Sequence, residues 1–233
     1  MERLDKLFSS CALLTRKECL IAVKKGRITV NGLVVKSPSQ KVDALKDVIL
    51  LDGKAPEFKK FVYIMLNKPI GVVSATEDGS QKTVIDILPS AFKRDGLFPC
   101  GRLDKDTVGL VIITNDGASA HKKLSPKSKT KKVYYFEVAD PVLDGQVEEI
   151  EKGVTLKDGY TVSPCIVEML SKSSGYITLT EGKYHEIKRI FGSLGNKITY
   201  LKRISFAGIV LDKNLEEGTC RYLTKQEEEL FTK

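Results

Sequence analysis

The chain has 233 residues, 42% of them hydrophobic, and a net charge of +8; no apolar run reaches the roughly 18 residues needed to span a bilayer. Residues 1–60 hold 13 Lys and Arg against 7 Asp and Glu, while the other 173 hold 25 against 23, so the positive excess suits either a polyanion partner or a solubilising surface. Five scattered cysteines without a Cys-x-x-Cys pair, and only two histidines, argue against a zinc site or a disulfide framework; the thiols read as small buried hydrophobes.

In chain order, the N-terminus mixes acids with an amphipathic pattern, unlike a signal peptide, so a cytoplasmic protein is expected. Leu4, Leu7, Phe8 and Cys11 form one apolar helix face, with Asp5 off it beside Lys6. Thr15 to Glu18 fits a capping box, and a helix continues to Gly26 as its cap. Asn31-Gly32 between the runs 28–30 and 33–35 signals a hairpin. Residues 47–51 read as a strand, turned by Asp52-Gly53. Arg16, Lys17, Lys24, Lys25 and Arg27 cluster around the second helix, with Lys17 and Lys24 on one face. That face suits phosphate contact or plain solvation. The polar stretch 54–60, with Pro56, sets a boundary between domains 1–56 and 60–233.

Beyond it, 61–66 reads as a strand, Asn67-Lys68-Pro69 as a turn, and Gly71-Val72-Val73-Ser74 as the next apolar run. Further strands are expected at 110–114, 133–139, 162–169, 176–180 and 198–201, and helices at 117–124, 144–152, 187–194 and 224–231. Regular strand and helix alternation is missing, so the class is α+β, with a mixed, mainly antiparallel sheet and peripheral helices. The stretch GRLDKDTVGLVIITNDG (101–117) runs from a polar loop into a buried strand. It lacks the Gly-Lys-Ser/Thr of a phosphate loop and the ligand spacing of a calcium loop. On the residues alone, Asp104 is either a structural residue that caps a turn or pairs with Arg102, or a carboxylate held for chemistry.

Two resemblances bear on that choice. RLDK, then TRKE, then KKGRITVNG resembles the S4 RNA-binding domain over about residues 1–53. This implies that Arg3, Arg16, Lys17, Lys24, Arg27 and Asn31 lie on or near an RNA-facing surface. YIMLNKPIG (63–71), FPCGRLDKDTVGLVIITNDG (98–117), KTKKVYYFEV (129–138) and EGKYHEIKRIF (181–191) resemble the pseudouridine synthases, in particular the RsuA type that modifies small-subunit ribosomal RNA. The resemblance implies Asp104 as catalytic carboxylate, Tyr134 as a ring over uracil and Lys188 as the cation beside Asp104. It implies substrate contacts from Arg102, Lys68, Arg189 and Lys132, with Lys129, Lys131, Lys202 and Arg203 as further contributors. Asp106 then supports the loop, His185 orders its motif, and Cys100 has no catalytic role. A flipped uridine, the family's usual uridine 516 of 16S ribosomal RNA, is the implied substrate. An assembly intermediate is the implied partner, the enzyme is expected to act as a monomer away from membranes, and no metal, nucleotide or organic cofactor is implied. The alternatives are a 23S or other RNA target, or a non-catalytic assembly factor. One departure stands out: Glu186 replaces the family's usual Gln and, two residues from Lys188, could compete with Asp104 for it.

Overall fold

The computed structural model describes residues 1–11 and 13–233. It contains two compact units, residues 1–62 with 90–96, and residues 63–89 with 97–233. The inclusion of 90–96 in the first unit is a grouping that a single cut between 56 and 60 does not contain.

In the first unit, β1 (Glu2–Arg3) leads into α1 (Leu4–Ser10), and α2 (Arg16–Lys24) follows. The Thr15 capping box is present, with Thr15 Oγ1 accepting from Glu18 N–H and the Glu18 carboxylate accepting from Thr15 N–H. At the other end, Gly26 N–H reaches Val23 O and Arg27 N–H reaches Ala22 O. That double closure needs a left-handed residue, and Gly26 supplies it at φ +66°. Next come β2 (Ile28–Val30), β3 (Leu33–Val34), β4 (Lys41–Val42) and β5 (Ile49–Leu51). The hairpin β2–β3 turns at Asn31 and Gly32, both at positive φ as such a turn demands. Leu4, Leu7, Phe8 and Cys11 pack with Cys19, Ala22 and Ile28 in the core. Asp5 is a correction to the helical pattern. It is 7% exposed, because Arg3 folds back on it with two hydrogen bonds of 3.0 and 2.7 Å.

The second unit holds β6 (Tyr63–Lys68), β7 (Phe98–Cys100), β8 (Val108–Thr114), α3 (Gly117–Leu124), β9 (Lys132–Val138), α4 (Gln146–Lys152), β10 (Ile166–Ser171) and β11 (Ser174–Leu179). It closes with α5 (Glu186–Ser193), β12 (Ile198–Phe206), β13 (Ile209–Val210), β14 (Cys220–Tyr222) and α6 (Lys225–Thr232). The sheet runs β10-β11-β9-β12-β8-β6-β14, with β13 on β12 and β7 on β8. Its pairs are antiparallel except β12 with β8, so the α+β reading holds.

All seven residues of β8 are buried. Asp116 ends that strand by capping α3, accepting from Ser119 N–H at 3.2 Å and from the Tyr63 hydroxyl at 2.7 Å. At the parallel pair, Gly109 has φ +100°, and a Cβ there would stand 2.3 Å from Arg203 O. Only glycine lets the two backbones approach so closely. Three expectations change in this unit: the strand expected at 162–169 is β10, Ile166–Ser171, and two more concern the segment after Leu66. Asn67 and Lys68 belong to β6 and not to a turn, since β8 pairs with the strand to its end, Asn67 opposite Leu110 and Lys68 opposite Gly109. Residues 71–74 form no strand, and Val73 makes only an isolated bridge to Thr83.

Candidate active site

The loop 101–107 enters β8 under restraint from below. Ser74 Oγ donates to Leu103 O and accepts from Leu103 N–H, both at 3.0 Å. Lys68 is 0% exposed and its ammonium donates to Pro69 O, Lys105 O and Thr107 O at 3.1, 3.3 and 2.8 Å. Gly71 N–H adds a bond to Lys105 O, and Thr107 N–H closes a turn onto Asp104 O. Leu103 is buried, so the flanking side chains of Arg102 and Asp104 emerge on the open side. Burial lowers the Lys68 ammonium to about 8, and the Asp106 and Asp104 carboxylates oppose the shift.

The opposite wall is the start of α5. Ile187, Ile190 and Phe191 are buried, with Phe191 packed 4.8 Å from Phe136 of β9. This seats the helix and turns Lys188 to the loop. Lys188 Nζ lies 3.0 Å from Asp104 Oδ2 and 2.5 Å from Asp106 Oδ1. Burial works against the charged lysine, yet the two carboxylates outweigh it and raise Lys188 overall. The same lysine holds Asp106 below the ordinary carboxylate range. His185 Nε2 approaches Asp104 Oδ1 at 3.6 Å.

Asp104, Lys188 and Arg102 line a cleft of about 910 Å³ together with Ile70, Ser74, Tyr184 and His185. A narrower recess of about 80 Å³ shares Arg102, Asp104 and Lys188 and adds Tyr134, Leu179 and Leu201. The cleft thus joins a carboxylate, its cation, a phenol and the Arg102 guanidinium around apolar walls. Such a set can hold a planar base and move a proton or form a covalent bond at the carboxylate.

Three of the four expected substrate contacts lie elsewhere. Lys68 is sealed beneath the loop, where the carbonyls left by its tight turn need a donor. Lys132 is half-buried and bonds Thr130 O and Thr180 O at 3.2 and 3.4 Å. Arg189, one residue past Lys188, points around the helix to an ion pair with Asp158. Arg203 is 1% exposed, its Nε donating to Leu110 O at 2.8 Å and its guanidinium lying over Phe206, so it is engaged inside the fold and not on the surface. In the first unit Arg16, Lys17 and Lys24 are exposed and make no salt bridge among the described residues. Arg3 and Arg27 are paired with Asp5 and Asp52, and the Asn31 amide is engaged by Asp47 and Val48.

Glu186 does not compete for Lys188. It is 4% exposed and turned inward, accepting from Lys183 N–H at 2.9 Å. Beneath it Glu181 accepts from the Tyr160 hydroxyl at 2.6 Å and from Ser163 N–H at 2.7 Å. Burial, with the neighbouring Glu181 charge, pushes Glu186 up to about 7 despite the Lys183 N–H. A protonated Glu186 can act as an amide would, donating and accepting at once. Its folded pKa exceeds the unfolded value of 4.5, so the folded state binds more protons between those limits. The associated stability is complete below about 4.5 and is lost as the pH rises through about 7. Glu186→Gln is therefore expected to gain on wild type between pH 5 and 8, reaching about 1–3 kcal/mol at pH 8. Urea unfolding at both pH values measures the gap, and a gap that fails to widen refutes the protonated form. No sequence pattern marks Glu181 and Tyr160 as its neighbours. The Lys188 share taken by Asp106 depends on the turn that Thr107 N–H closes onto Asp104 O, which brings both carboxylates to one lysine and which the sequence does not mark.

A family model described as RNA pseudouridylate synthase matches residues 62–193, and one described as S4 domain matches residues 2–49. The chain is 39% identical over 228 residues to ribosomal small subunit pseudouridine synthase A of Vibrio cholerae, spanning 97% of each chain. It is 39% identical over 229 residues to the Bacillus subtilis protein named uncharacterized RNA pseudouridine synthase YtzG, spanning 97% of this chain and 96% of that one. A solved pseudouridylate synthase structure is 34% identical, with a TM-score of 0.70 over 99% of this chain and 100% of that one. An S4 domain joined to this cleft-bearing sheet defines an enzyme that acts on RNA. The chain belongs to the RNA pseudouridylate synthase family, and its reaction is the conversion of uridine in RNA to pseudouridine.

Proposed function

We propose that the enzyme isomerises one uridine of 16S ribosomal RNA, uridine 516, with Asp104 as its catalytic carboxylate. The observation that carries the reading is the gathering of Asp104, Lys188, Arg102 and Tyr134 around one cleft and its recess. The uridine leaves its stack and enters this cleft. The Asp104 carboxylate acts on it as nucleophile or base while Lys188 offsets the loss of water around the charge. The N1–C1′ bond breaks, the uracil turns, C5 bonds to C1′, and the C5 proton departs. Tyr134 lies against the uracil and Arg102 holds the flipped nucleotide. Residues 1–56 grip the RNA through Arg16, Lys17 and Lys24, and residues 60–233 perform the chemistry. The reading of 16S RNA rests on the near full-length likeness to enzymes named for the small subunit.

The substrate is an assembly intermediate, since a finished subunit hides many RNA loops, and the enzyme meets it in the cytoplasm as a monomer. Mapping pseudouridines in the ribosomal RNA of cells lacking the gene tests the target. The expected result is loss of one modification, at position 516 of 16S RNA. Loss confined to 23S RNA overturns that choice.

A further inference from the structure

Tyr184 is 77% exposed, yet it is not loose: its ring lies on the His185 ring with centroids 3.8 Å apart and planes inclined by 20°. One face of the phenol is covered by imidazole and the other is open. His185 holds this pose from a left-handed backbone, φ +49°, at the N-cap of α5. A non-glycine residue adopts that conformation at a cost of about 1–2 kcal/mol, and such strain gathers at functional positions. Both rings line the cleft that contains Asp104, and the His185 ring reaches to 3.6 Å from that carboxylate. Ile70, 67% exposed, lines the same cleft and extends its apolar surface.

We infer that the Tyr184–His185 pair is a stacking platform for the nucleobase next to the flipped uridine. When a uridine leaves its stack, its neighbours lose a partner surface. The neighbour is tied to the target by one phosphodiester, so it arrives at the rim of the cleft that takes the uracil. An open aromatic face there receives any base, because every base offers a π-face. A nucleobase fits better than a protein side chain because the platform is continuous with a cleft that takes RNA. The inference rests on the reading that the target uridine enters at Asp104.

The test uses the full-length enzyme and RNA fragments spanning the target, intact or abasic at the nucleotide on either side. Turnover is followed by tritium release from 5-tritiated uridine. Tyr184→Ala is expected to lower kcat/KM about five- to a hundredfold on intact RNA, with Tyr184→Phe restoring most of the loss. Removing the base on one side is expected to cost wild type a similar factor and to cost Tyr184→Ala nothing further. Losses that multiply at both positions, or no loss in Tyr184→Ala, overturn the platform. Asp104→Asn in the same assay reports separately: retained activity there removes the reading of Asp104 and leaves the Tyr184 comparison intact.

Discussion

Asp104→Asn is expected to lower the rate of isomerisation at least about 10³-fold while RNA affinity stays within about threefold. The amide keeps the size and most contacts of the carboxylate. The loop keeps its restraints, because Ser74 grips Leu103 and Lys68 grips the carbonyls of Lys105 and Thr107. Lys188 keeps Asp106 as partner. What disappears is the one property that either chemical route requires, an anionic oxygen that attacks or takes a proton. Single-turnover tritium release measures the rate, and filter binding of the same RNA measures affinity. Activity within tenfold of wild type would sink the assignment.

Lys188→Met is the second large effect, an expected fall in kcat of about 10²-fold with a much smaller change in KM. The ammonium sits 3.0 Å from Asp104 and 2.5 Å from Asp106. Without it two carboxylates, two residues apart, line the cleft with no cation between them, and like charges drive the loop apart. Methionine preserves the stem and so isolates the charge. Lys188→Arg returns the charge with a wider, planar head and is expected to recover only part of the rate. Equal kcat in wild type and Lys188→Met, measured at saturating RNA, is the contrary result.

Much of this was legible in the residues. Asn31-Gly32 announced its hairpin, Thr15 and Glu18 their cap, and the run 110–114 a buried strand, which extends back to Val108, because each depends on local chemistry alone. The short strands β1, β4 and β14 were not legible, since so short a piece carries no alternation and none has a turn signal like Asn31-Gly32 beside it. The misplaced cations share one cause. A lysine or arginine in a sequence reads as solvent-facing, whereas Lys68, Lys132 and Arg203 are drawn inward by backbone carbonyls that only the folded chain brings together. Arg203 did leave a trace: it falls in step with the buried Leu201 along β12, the parity of an inward residue. Glu186 left none, because its proton depends on burial and on the neighbouring Glu181, both of which only the folded chain provides.

The parallel pairing of Val108 with Lys202 joins positions about ninety residues apart, at the mouth of the loop that carries Asp104. A ribosome adding roughly 5–20 residues per second needs about 5–20 seconds to cover that interval. Throughout it, the nascent chain carries an apolar strand with part of one edge bare, a template for wrong partners. The site is thus finished late in synthesis. An enzyme that modifies RNA makes its own maturation wait on the far end of its message.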